Sequence, residues 1–219
     1  MSNVRIIHGD CMEAMAKMPD KAYELAIVDP PYGIDIETHQ QTMHDKRVLI
    51  NGGSWKQYKN SGWDLAIPDE EYFNQLFRIA KNQIIWGGNY LLGYLPRTRC
   101  FLIWDKIQRD NRADAEIAWT SFDKPTKIFS YSRADAYINH CDCKIHPTQK
   151  PVRLYEWILK NYAKPGDKIL DTHGGSCSLA IACDIMGFDA VIYEIDADYY
   201  KAAMERFERH KQQTVLEFT

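Results

Sequence analysis

Long apolar runs are missing from this sequence: stretches such as Leu25 to Val28 fall far short of the roughly 18 to 20 residues a membrane span needs. The opening Met1-Ser2-Asn3-Val4-Arg5 carries no apolar stretch of the kind a secretory signal requires. Positive charge is not in excess either, since 27 Lys and Arg stand against 30 Asp and Glu for a formal net charge of −3. That removes the global attraction to phosphates on which nonspecific nucleic-acid binding relies, so any nucleic-acid face must be local. Cysteine is sparse and scattered (Cys11, Cys100, Cys141, Cys143, Cys177, Cys183) in a chain large enough to fold without staples. This argues against a disulfide framework and for reduced thiols in a cytoplasm. Internal repeats and low-complexity tracts are absent as well. With 219 residues and 45% of them apolar, the chain can bury one substantial core, and a single domain over 1–219 with no membrane association is expected.

What is present alternates between strand and helix. Val4 to His8 reads as a buried strand, Met12, Met15 and Met18 follow at helical spacing, and Glu24 to Val28 forms the next strand. From Ile34 to Asp64 the pattern dissolves into polar residues around Gly52-Gly53 with Trp55, Tyr58 and Trp63 interleaved, a length unusual for a passive connection. Tyr72, Phe73, Leu76, Phe77 and Ala80 then share a helical stripe, followed by strands at Gln83 to Trp86 and Cys100 to Trp104. The last third predicts helix 151–162, strand 168–170, helix 176–186, strand 190–193 and helix 198–210. The order implies an α/β fold, a mostly parallel sheet with helices on both faces.

Two strand ends in that last third could form one site. Asp171 precedes the turn Gly174-Gly175-Ser176, and Glu194 ends the next strand, where a doubly wound sheet grips ribose hydroxyls. The turn lacks GxGxxG spacing, which disfavours a pyrophosphate-binding dinucleotide site and leaves open a nucleoside cofactor without phosphates. The same residues also fit an ordinary turn with Asp171 as a helix cap.

Asp29-Pro30-Pro31-Tyr32 follows the strand at 24–28 directly and is more telling. Two consecutive prolines have fixed φ and no N–H, so the turn presents carbonyl acceptors without competing donors. With one carboxylate and one aromatic face, the four residues can stack a planar group on Tyr32 and accept hydrogen bonds from its amine. Such acceptors would draw an amine lone pair back from a heteroaromatic ring and aim it at an electrophile, by orientation and by stabilising the developing positive charge.

Asp29-Pro-Pro-Tyr32, His146-Pro-Thr-Gln-Lys-Pro151, Trp86-Gly-Gly-Asn-Tyr90 and Leu170-Asp-Thr-His-Gly-Gly-Ser176, taken together, resemble the amino-group DNA methyltransferases that use S-adenosylmethionine, in the beta arrangement with the catalytic motif ahead of the cofactor motif. The resemblance spans nearly the whole chain. It implies a Rossmann-like methyltransferase sheet and an enzyme that methylates the exocyclic N6 amine of adenine in DNA, because Asp at position 29 suggests adenine where Ser more often accompanies cytosine. Asp29, Pro30, Pro31 and Tyr32 would hold the target amine. Asp171, His173, Gly175 and Ser176 would lie in the cofactor turn, Glu194 would bind the ribose, Asp10 would contact the adenine of the cofactor, and Lys150 and Pro151 would flank its methionine end. The turn departs from the family's Asp-Pro-Phe-x-Gly-Ser-Gly pattern. Thr172-His173 resembles a subset often encoded by phages and prophages, and Cys177 stands where a second glycine is expected, so that its Cβ would crowd the cofactor. His173 would either pack or hydrogen-bond the methionine moiety.

Chemistry on a base amine requires flipping the base out of the duplex. Lys46, Arg47, Lys56 and Lys59 in the 34–64 loop, and Arg109, Arg112, Lys124 and Lys127 in or near a stretch with eight basic against five acidic residues (97–133), are the candidates for phosphate contacts. A short target-recognition segment is expected within 105–146, which implies a brief or relaxed target or else a homodimer that shares recognition, as members of this group often dimerise. His140-Cys141-Asp142-Cys143 and His146 could bind zinc, but the C-x-C pair is tighter than the usual knuckle, and the resemblance requires no metal. The rival readings are an N4-cytosine or RNA methyltransferase and, from another class, a catalytically silent DNA- or partner-binding module on the same fold.

Overall fold

The computed structural model describes residues 2–35, 64–107, 113–132 and 144–216. Among them, eight strands form one sheet: β1 (Val4–His8), β2 (Tyr23–Val28), β3 (Ala80–Trp86), β4 (Phe101–Asp105), β5 (Ala115–Thr120), β6 (Lys127–Ser130), β7 (Lys168–Asp171) and β8 (Asp189–Glu194). Their order across the sheet is β1-β8-β7-β2-β3-β5-β4-β6. β1, β8, β7, β2 and β3 pair in parallel, as does β6 with β4, while β5 runs antiparallel to both of its neighbours. The mostly parallel Rossmann-like sheet expected from the sequence is what forms.

Five helices cover it: α1 (Cys11–Met15), α2 (Glu70–Ile79), α3 (Val152–Tyr162), α4 (Ser178–Met186) and α5 (Ala197–Leu216). Successive residues of a strand face opposite sides, so Leu25 and Ile27 join one core while Ala26 and Val28 join the other. The first core packs against α3, α4 and α5 through Leu154, Ile158, Leu179 and Phe207. The second packs against α1 and α2 through Met15, Phe73, Leu76 and Ile79. None of the helices among the described residues is long and apolar enough to cross a membrane.

α2 starts where Asp69 accepts a hydrogen bond from the Tyr72 amide at 3.0 Å, satisfying an orphan donor of the first turn. It ends one residue before the helical stripe suggests, because Ala80 already belongs to β3. Arg78 in its last turn donates to the carbonyls of Met15 and Met18 and so ties α2 to the α1 turn. α1 is shorter than the methionine spacing implies, and Met18 lies beyond it.

Two strands had no local signal in the sequence. Among the described residues of 105–146, Ala115–Thr120 and Lys127–Ser130 join the sheet as β5 and β6. Ala115-Glu-Ile-Ala-Trp-Thr120 carries a charge at its second residue and follows polar residues, so its local pattern hides a strand that sheet pairing with β3 and β4 stabilises.

Candidate active site

β2 is apolar because both its faces are covered, and it delivers Asp29 to the carboxyl end of the sheet. The carboxyl ends of β1, β7, β8 and β3 lie alongside, the edge where open α/β sheets bind ligands. After Pro30 and Pro31, the next two backbone donors are the amides of Tyr32 and Gly33. Both are taken by Oδ1 of Asp64, at 2.6 and 3.0 Å. Asp64 is 2% exposed, and its carbonyl accepts from the Asp35 amide at 3.0 Å. The turn therefore offers acceptors only, as its composition implies, and Asp64 is the clamp that sequence reading missed. The only signal for it was an acid where the long polar stretch gives way to structure.

Both carboxylate oxygens of Asp29 are engaged. Oδ1 accepts from the Tyr32 hydroxyl and Oδ2 from the Lys150 ammonium. The Lys150 side chain is 1% exposed, and its Nζ also reaches Oε2 of Glu116 at 3.2 Å. Oε1 of Glu116 takes Lys106 at 2.7 Å. Burial pushes the Asp29 carboxyl up against the pull of Lys150. Burial also opposes charge on Lys150, but Asp29 and Glu116 together hold its pKa above the ordinary value. For Glu116, burial is outweighed by Lys150 and Lys106, which draw it down to about 2.

The Tyr32 ring stacks on Tyr90, with centroids 5.1 Å apart and planes 13° from parallel. Gly87, at φ +70°, lies so close beneath that a Cβ there would stand 2.1 Å from Cε1 of Tyr32. The Trp86-Gly-Gly-Asn-Tyr90 motif is thus the floor on which Tyr32 rests.

A cleft of about 290 Å³ opens past the carboxyl ends of β1 and β7, lined among others by Gly9, Asp10, Cys11, Tyr72, Thr172 and His173. Asp10 follows β1 and caps α1, accepting from the Met12 amide at 2.7 Å. Glu194 is 8% exposed and accepts the amides of Gly175 at 2.6 Å and Asp196 at 2.8 Å. Each oxygen keeps acceptor capacity for a further donor. Asp171 accepts the His173 amide at 3.0 Å, yet burial pushes its carboxyl up to about 8. His173 packs edge-on to Tyr72, and its Nδ1 lies 2.9 Å from Oγ1 of Thr172. Burial keeps it neutral, with a pKa of about 4.

Cys177 adopts φ +53°, the left-handed region that favours glycine. Its thiol is 1% exposed in the core beneath α3 and α4. The side chain expected to crowd a cofactor is packed into the interior. The glycine turn has a second support that sequence reading missed: Arg206 of α5, 3% exposed, donates to the Ser176 carbonyl at 2.6 Å and the Ser178 hydroxyl at 3.0 Å.

The His146–Pro151 segment links the cleft to the Asp29 turn. Its first ring lies 3.6 Å from where a Cβ of Gly175 would stand, and its lysine grips Asp29. Nδ1 of His146 accepts from the Thr148 amide at 3.3 Å, and burial holds the ring neutral, with a pKa of about 3. The lysine expected to flank a methionine end thus has its ammonium on the Asp29 carboxylate. Pro151, buried, opens α3.

The basic candidates divide. Lys46, Arg47, Lys56, Lys59, Arg109 and Arg112 lie outside the described residues, as do His140, Cys141, Asp142 and Cys143. Lys124 and Lys127 are not beside Asp29. Lys127 begins β6, which runs in the same sense as β3, so it lies at the opposite end of the sheet. Lys124 donates to the Asn161 carbonyl near the end of α3 and lies 4.7 Å from the centre of the Tyr162 ring.

The sequence profile of the DNA methylase family matches residues 56–205. The type II methyltransferase M.HpaI of Haemophilus parainfluenzae is 23% identical over 236 residues, covering 93% of this chain and 74% of that protein. Among solved structures, the complex of M1.HpyAVI with SAM superposes with a TM-score of 0.58 at 18% identity, over 93% of this chain and 98% of that one. The cytosine-N4-specific PvuII DNA methyltransferase superposes with a TM-score of 0.59 at 15% identity, over 97% and 91% of the two chains. This chain shares their fold.

Proposed function

This chain belongs to the N6/N4 DNA methylase family, and on that premise we propose that it methylates the exocyclic N6 amine of adenine in DNA with S-adenosylmethionine as the donor. The observation that carries the reading is the Asp29 turn, where a carboxylate, carbonyls without neighbouring free amides and an aromatic ring meet, tied to the glycine turn by the His146–Pro151 segment.

The residues at the carboxyl ends of β1, β7 and β8 fit the cofactor. Glu194 retains acceptor capacity for two ribose hydroxyls, and Asp10 stands on the cleft wall. Asp171, Gly175 and Ser176 shape the turn, while neutral His173 packs against the wall on Tyr72. When bound, the cofactor supplies a methyl group on a sulfonium cation.

The rest is done by the turn. A base flipped from the duplex, at a cost of a few kcal/mol, lies on Tyr32, where stacking returns about 1 to 3 kcal/mol. One amine hydrogen goes to Asp29 in place of the Tyr32 hydroxyl, and the other to the Pro30 carbonyl. Held so by Asp29 and the Pro30 carbonyl, the amine would have its lone pair turned out of conjugation and toward the methyl group that the bound cofactor would supply, and the proton lost from nitrogen would pass to solvent water. Asp29 stabilises the positive charge while it develops. Phosphate contacts are assigned to Lys46, Arg47, Lys56, Lys59, Arg109, Arg112, Lys124 and Lys127.

The test is to incubate the protein and D29A with unmethylated DNA, and in parallel RNA, with methyl-labelled cofactor, then identify the labelled nucleoside. Label in N6-methyladenine that D29A loses is the expected result. Label in N4-methylcytosine would assign cytosine, and no label with no cofactor binding would leave the silent binding module.

A further inference from the structure

Glu116 belongs to none of the motifs above. It stands near the start of β5, and because β5 is antiparallel to β3, that start lies at the carboxyl end of the parallel strands, level with Asp29. Its two oxygens divide between two lysines, Oε2 to Lys150 at 3.2 Å and Oε1 to Lys106 at 2.7 Å. Lys106 directly follows β4, whose last residue Asp105 pairs with Ala115, so the array is built by strand register.

We propose that Glu116 is a positioning residue for the amine-holding site: it anchors the Lys150 ammonium so that Lys150 occupies Oδ2 of Asp29 and leaves Oδ1 toward Tyr32 and the incoming amine. This rests on the methyl-transfer reading above. An ammonium on a four-carbon stem has three donors and no fixed direction. With Asp29 as its only carboxylate, it would turn onto both Asp29 oxygens and compete with the amine. Glu116 pulls from the other side and fixes the direction; the Tyr32 hydroxyl oxygen at 3.5 Å is the remaining partner. Asp29 and Glu116 also balance Lys150 and Lys106. Without Glu116, one cation is left uncompensated where positive charge develops on nitrogen.

The groups facing Lys150 are Asp29 and the Tyr32 hydroxyl after β2, Glu116 on β5, the Trp86 ring of β3 at 5.1 Å, Asp171 at the end of β7 and the neutral His146 of its own segment. Asp29 and Glu116 are the groups that hold its charge, so losing Glu116 makes Lys150 release its proton at lower pH.

E116Q and wild type are compared for methyl transfer to DNA across pH, with cofactor affinity measured separately. The expected result is kcat lower by about tenfold or more, an alkaline limb of kcat displaced to lower pH, and cofactor affinity within about twofold. Should E116Q fold poorly, E116D tests the positioning by itself, since it keeps the charge but withdraws the carboxylate by one methylene: kcat should still fall, and kcat equal to wild type overturns the role. An unmoved alkaline limb with kcat near wild type overturns the role, even if the melting temperature falls. A wild-type protein that labels no nucleic acid removes the methyl-transfer reading and this role with it, an outcome distinct from an active wild type matched by its variant.

Discussion

Tyr90 lies parallel to Tyr32, with ring centroids 5.1 Å apart and 13° between the planes. Tyr90 is 47% exposed, so one face of the platform proposed for the flipped base is covered by a side chain with little else to hold it. A stacked aromatic pair contributes about 0.5–1.5 kcal/mol beyond area burial. A base that takes that face must displace Tyr90. Y90A should therefore lower the KM for DNA by about two- to tenfold and leave cofactor affinity unchanged, as read from steady-state kinetics and calorimetry. A raised KM would mean instead that Tyr90 closes over the base from the far side.

Gly87 makes the opposite prediction from the same ring. A Cβ at this position would stand 2.1 Å from Tyr32, on a backbone at φ +70° that disfavours side chains. G87A should push Tyr32 off its seat and away from Asp29, with the KM for DNA rising about tenfold or more from lost stacking. Cofactor binding, measured by titration, should persist.

Replacing Lys150 tests the buried charge array. K150M leaves Asp29 and Glu116 without their shared cation. Removing one partner of such a pair costs about 3–5 kcal/mol, and the low end is expected because both carboxylates keep some contact with water. The loss should be largest at neutral pH and shrink in acid as the two carboxyls protonate, which denaturant unfolding at several pH values would reveal.

Asp171 carries a pH dependence of its own. Burial raises its carboxyl to about 8, so the fold favours the protonated form. That stability is fully present below the ordinary carboxyl range and is lost as pH rises through about 8. D171N, which can still accept the His173 amide, should lack this slope. Melting curves of the cofactor-free proteins between acid and mildly alkaline pH should converge at the low end and show the variant melting higher at the alkaline end.

The alternation of strands and helices, the proline turn at Asp29 and the glycine turn after Asp171 were legible because each is a local pattern: period two or 3.6, missing amides, a residue without a side chain. Asp64, Glu116 and Arg206 were not, since each acts on a segment distant in sequence. How far Lys124 and Lys127 lie from Asp29 was not legible for the converse reason. Charge composition counts basic residues without saying at which end of a strand they fall. The antiparallel insertion of β5 carries Glu116 up to Asp29, and the parallel β6 leaves Lys127 at the far edge. The sequence by itself determined which chemical groups were on hand and which turns would present them. The tertiary structure alone decided that one lysine is shared by two carboxylates, because a buried ammonium finds its partners through sheet register and strand direction, which no single segment encodes.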